Sequence, residues 1–335
     1  MKESRGVFND RIEKIHVQRE EFEEWLRYYK EGKAISGISD DELEKLRKDL
    51  ENDAVQHSND MVIEMIIDKV KMDTGNLLNE EVLDNIQIAY ITDNDRIIAS
   101  AYPKYSDGSL YVEIGSKIEE RIFLLSDLFA VQFLRNESLS EIEHFLLDGL
   151  YKSCVEKYMS NCKITEDYNR IQILMLLHEK IVGSGKFSDN YVAYSREIYE
   201  MALAFLIGHE IGHHHYGHMD RNAKNDDDPK LMEVKADFFG INFAMMYLKN
   251  AYPSDVKRYG LHQFAGMYIP ILASAELCKS IFEDGECHLS IYKRMEIVDC
   301  KLKQIIDSES FESVRGYILR LLKDIQFERH VIKDH

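Results

Sequence analysis

Two histidines and a glutamate, His209, Glu210 and His213, stand in the order His-Glu-x-x-His behind an apolar run at 202–208. On a helix, residues four apart lie one above the other, so both imidazoles enter the same space, about 6 Å apart along the axis. Two nitrogens so placed can share one tetrahedral Zn2+. Glu210 is turned about 100° from His209, beside the metal rather than on it. There it can take a proton from a water that the metal activates. The spacing predicts a zinc-dependent hydrolase with Glu210 as general base.

Such a site needs a third protein ligand, and Glu233 is the candidate. Asp228-Pro229 reads as an N-cap followed by proline in the first turn of a helix. Val234, Phe238, Ile241, Met245 and Leu248 then recur at three- and four-residue steps, which predicts a core-facing stripe. Glu233, Asp237, Gly240 and Ala244 form the neighbouring face. Two carboxylates followed by two small residues suit a helix packed closely on the one that carries the histidines. Gly208 and Gly212, poor formers of a helix interior, mark close approach from the other side. Glu233 would complete a His-His-Glu set for one Zn2+ per chain, with the fourth position left to water. Asp237 would accept the free N–H of a ligand histidine. The alternative is that Glu233 and Asp237 are solvated helix residues.

With His-Glu-x-x-His followed by Glu-x-x-Ala-Asp, the chain resembles the gluzincin peptidases of the HtpX and CAAX-prenyl-protease type. Read without that likeness, 97–101 and 110–115 are two β-prone runs around Asp107-Gly108, a hairpin with a longer loop. The resemblance implies that one of these strands is the sheet edge along the active site, carried by Ile98, Ala99, Ser100 and Ala101. A peptide substrate would add a strand to it. The resemblance also implies that His288 stabilises an oxyanion and that Arg294, six residues on, ties its helix to the site. Leu289 stands where the family usually has proline, and read alone His288 is a helix cap or a surface residue. About 80 residues separate the hairpin from the histidine helix, more than in compact members, and no apolar stretch reaches the roughly 20 residues that span a bilayer. In architecture the layout is similar to the soluble, phage-exclusion Lit peptidases.

His214, His215 and His218 extend the cluster. They could form an accessory metal site, but the favoured reading is that the helix frays near Gly217 and leaves all three facing solvent.

Composition narrows the partners. The net charge of −18 argues against nucleic acid and anionic membrane, both of which need a basic face. A protein or peptide substrate remains. The N-terminus lacks an apolar leader, and five cysteines at scattered spacings read as reduced thiols. Together these predict a cytoplasmic protein. Residues 1–80 read as charged helices, 81–300 as a zincin-like peptidase domain with a helical insertion at about 120–190, and 301–335 as a C-terminal helix. The expected class is α+β, mostly helical, with a small antiparallel sheet. The expected function is a metalloendopeptidase of narrow specificity. Its alternative is a zincin-like regulatory or scaffold protein that holds metal without hydrolysis.

Overall fold

The computed structural model describes residues 39–53, 55–56, 60–73, 85–91, 99–102, 109–135, 185–219, 228–252, 260–277 and 289–333, with short stretches and single positions between 13 and 155 and between 282 and 285. Ile98, Asp107, Gly108, His288 and the helices expected at 12–30 and 171–182 lie outside the described residues, apart from single positions. Contacts divide the chain into two compact units, one of Met1–Asn59 with Ala130–Ala193, the other of Asp60–Phe129 with Tyr194–His335.

The first unit holds a two-residue ribbon, β1 (Glu13–Lys14) against β2 (Val55–Gln56), and α1 (Asp40–Asp53). The Ser39-x-x-Glu42 spacing makes a capping box. The Glu42 amide donates to Ser39 Oγ at 3.4 Å, and the Ser39 amide donates back to the Glu42 carboxylate at 2.9 Å.

The second unit holds α2 (Asp60–Met72), β3 (Ile86–Ile91), β4 (Ala99–Tyr102), β5 (Leu110–Gly115) and the greater parts of α3 (Ser116–Leu134) and α4 (Gly185–His215). After these come α5 (Pro229–Ala251), α6 (Leu261–Ala265), α7 (Ile269–Ala273), α8 (Ile291–Leu302) and α9 (Ser308–Lys333). Mostly helical, with a small sheet, the chain is α+β. No helix among the described residues is long and apolar enough to cross a membrane.

The expected hairpin forms: β4 runs antiparallel to β5, with Ala99 opposite Ile114 and Tyr102 opposite Tyr111. Along β5, Val112 and Ile114 are fully buried while Tyr111 and Glu113 are half-buried, the two-residue period of a strand with one face on the core. The sheet is nonetheless mixed rather than wholly antiparallel. Its order is β3-β5-β4, and β3 pairs parallel to β5. The hairpin puts β5 at the centre, and β3 takes β5's other edge. A β-prone run alone does not encode which way it pairs.

From Ile198 to His213 every residue of α4 is buried. A helix apolar all round belongs inside a core, so the two histidines are carried on a buried rod. The start of α5 follows its caps: Asp228 accepts from the Lys230 amide at 3.0 Å, and Pro229 sits in the first turn. The buried face of α5, however, is Ala236, Asp237, Gly240, Phe243, Ala244 and Tyr247, with Phe239. The expected stripe is therefore corrected: Ile241 and Leu248 are buried, but Val234 and Met245 are only half-buried and Phe238 is 40% exposed. The periodicity missed the true face because that face carries carboxylates and small residues where α5 meets α4.

The small residues mark that meeting. A Cβ on Gly208 would sit 2.5 Å from Phe243 Cβ, and one on Gly240 2.8 Å from the Phe205 carbonyl oxygen and 3.1 Å from the His209 nitrogen. Gly240 thus meets backbone, which cannot swing aside. Gly240→Ala is expected to destabilise the protein by about 1–3 kcal/mol, as overpacking does, and to weaken metal binding by pushing α5 off α4. Chemical denaturation checks the first effect, and a denaturation midpoint equal to wild type would show that the helices have slack.

α8 packs on α5 and opens on Ser290, whose hydroxyl accepts from the Lys293 amide. It is tied to its neighbours by buried Asp299, which accepts from Tyr268 at 2.6 Å and pairs with Arg315 at 3.1 Å. The tail expected at 301–335 is α9, with 301–302 closing α8.

Candidate active site

Helix geometry stacks His209 on His213, and their Nε2 atoms stand 3.2 Å apart. The second turn of α5 brings Glu233 to the same point: one carboxylate oxygen lies 3.5 Å from His209 Nε2, and the other 3.5 Å from His213 Nε2. Four ligands at about 2.0–2.1 Å from a tetrahedral zinc are themselves about 3.3–3.4 Å apart. The three residues fit that ion in both donor type and spacing, and they are the one such group found among the described residues.

His209 Nδ1 meets Asp237 Oδ1 at 2.9 Å, the contact that the spacing anticipated. Asp237 is fully buried and is clasped by Arg294, whose Nε donates to Oδ2 at 2.8 Å and whose Nη2 donates to Oδ1 at 2.6 Å. Burial favours the neutral acid, but Arg294 and His209 outweigh it and hold the Asp237 carboxyl below its ordinary range. Arg294 therefore ties α8 to the site through Asp237. Arg294→Ala would leave a buried carboxylate without its cation. The expected cost is about 3–5 kcal/mol, read by denaturation, with Arg294→Lys intermediate because it keeps the charge and loses the two-pronged contact. A stability equal to wild type in Arg294→Ala would show that another cation replaces it.

Burial pulls the His209 imidazole down, yet Asp237 and Glu233 hold it up, to about 10. Burial and the charge on His209 push His213 the other way, to about 3. Without a metal the stacked pair therefore shares its space by keeping one ring charged and one neutral. A cation bound there displaces the proton from His209.

Glu210 points to the sheet. It is 6% exposed, and the backbone of Ala101 on β4 lies near enough to favour its charged form. Burial raises its pKa, and Glu233 adds to that, against the pull of His209 and the Ala101 backbone. One turn on, the His214 ring bonds the Tyr111 carbonyl of β5 at 3.1 Å. Residues 210 and 214 are four apart, so a single face of α4 is sewn to the hairpin.

The histidine tract is corrected accordingly. Only His215 is solvent-facing; His214 and His218 are half-buried. The helix holds to His215, ends at Gly217 with φ +68°, and turns His218 back so that its Nδ1 lies 3.0 Å from His213 Nδ1. Sequence reasoning missed this contact, although a glycine four residues after His213 was its signal. It also missed the direct Arg294–Asp237 pairing.

Residues 178–304 match the family Peptidase U49. The match spans less than half of the 335 residues and takes in His209, Glu210, His213, Glu233, Asp237, His288 and Arg294, while leaving out the sheet. The family is of the Lit type, so of the two likenesses drawn from sequence this is the one the match carries, and it supports a peptidase. No curated protein and no solved structure matches the chain.

Proposed function

We propose that the protein is a zinc-dependent metalloendopeptidase of narrow specificity on a protein substrate. His209, His213 and Glu233 would hold the metal, and Glu210 would act as general base. The observation that carries the reading is the convergence of two imidazole nitrogens and a carboxylate at tetrahedral spacing beside a buried glutamate whose pKa burial raises.

Zinc bound there would polarise a peptide carbonyl and bring the pKa of a water down to about 7. The chain's own residues do the remaining work. Glu210, its pKa raised by burial, takes the proton from the attacking water on its carboxylate and delivers it to the leaving amine nitrogen. Asp237 fixes the His209 ring by accepting from Nδ1, which leaves Nε2 free to ligate.

β4 would bind the substrate backbone. Successive strand residues direct their amide and carbonyl groups to opposite edges. With the Ala101 backbone beside Glu210 and β4 at the edge of the sheet, the groups of Ala99 and Ala101 would be the ones offered to a substrate. An extended peptide pairing with that edge passes directly beside Glu210. In the same reading His288 steadies the oxyanion.

The test is to map new N-termini in a proteome incubated with zinc-loaded wild type, with metal-free protein and with Glu210→Gln. Cleavages that appear with the first alone support the reading. Identical termini in all three samples would refute it.

A further inference from the structure

The end of α4 has a specific construction. The His218 amide donates to the His213 carbonyl at 2.9 Å, the Gly217 amide donates to the His214 carbonyl at 3.1 Å, and Gly217 takes the left-handed conformation at φ +68°. These are the paired bonds of a Schellman cap, a geometry in which the residue after the left-handed glycine folds back over the one five earlier. Those two residues usually touch through apolar side chains. Here they are His218 and His213, and their rings meet edge to face, with centroids 5.1 Å apart and Nδ1 atoms 3.0 Å apart.

A histidine that ligates through Nε2 carries its proton on Nδ1 and needs an acceptor there. For His209 that acceptor is Asp237. Among the described residues no carboxylate is bonded to His213 Nδ1; what lies there is the Nδ1 of His218. With its own proton on Nε2, a neutral His218 accepts. We propose that His218 is a positioning residue for the metal site, delivered by the helix cap, which fixes the tautomer and rotation of the His213 ring. The inference rests on the reading of His209, His213 and Glu233 as ligands. It assigns the two ligand histidines different supports, an anion for one and a neutral imidazole for the other.

The experiment is zinc affinity, measured by competition with a chromogenic chelator, with rescue by an isosteric acceptor as the discriminating readout. His218→Ala is expected to weaken zinc binding about 10–100-fold, the usual cost of removing such a support. His218→Asn places its Oδ1 where Nδ1 stood, and is expected to restore an affinity close to wild type. Gly217→Ala, strained at positive φ, is expected to weaken zinc in the same direction. If His218→Ala binds zinc as wild type does, the inference falls while the reading of the ligands stands. If the Ala and Asn variants lose affinity equally, His218 is packing rather than an acceptor, and the inference falls. Wild type that holds no zinc removes the ligand reading and the inference with it.

Discussion

Glu210→Gln is expected to lower peptide hydrolysis by about 10²–10⁴-fold, the usual contribution of a positioned acid–base group, while zinc content stays at the wild-type level. Glutamine has the same shape, and the His214 bond to the Tyr111 carbonyl is untouched, so α4 keeps its seat on the sheet. What it loses is the ability to take a proton. The carboxylate it replaces is buried and shifted upward, hence a better proton acceptor than one in water, and it is not one of the three groups that converge at the candidate metal position. Elemental analysis and a cleavage assay on the same preparation give both halves of the result. Equal zinc with undiminished cleavage would remove Glu210 from its role.

His213→Ala is expected to abolish zinc retention through extensive dialysis, where wild type keeps about one ion per chain. The change deletes one of three protein donors and leaves His209 and Glu233, 3.5 Å apart, with no third group within reach among the described residues. The affinity loss should exceed the roughly 10–100-fold expected when a supporting residue is removed. It should also exceed that of His218→Ala. Because His213 is buried in the core of α4, thermal denaturation of the same variant must accompany the measurement. A folded His213→Ala that keeps its zinc would show that the ligands lie elsewhere. Folded wild type that keeps none would leave a helical protein with a coincidental histidine spacing.

Much of the site was written locally in the chain. The i, i+4 histidines, the Asp228-Pro229 helix start, the Ser39-x-x-Glu42 box and the glycines of α4 each follow from backbone repeat and sterics over a few residues, and each has its counterpart in the fold. Even Glu233 and Asp237 could be read as partners of the histidines, because a carboxylate pair beside small residues makes sense only against another helix. Other features depended on segments far apart in sequence. Arg294 reaches Asp237 across 57 positions, and His214 reaches Tyr111 across 103. The direction of β3 and the buried face of α5 were likewise settled by packing. Hydrophobic periodicity failed on α5 for a physical reason: a helix that buries its carboxylates against a charged site puts polar residues where the pattern expects apolar ones. Local spacing was enough to single out the imidazoles and carboxylates that could converge on a cation. What holds them still came from packing, because a buried hydrogen bond depends on a partner that the local chain does not contain.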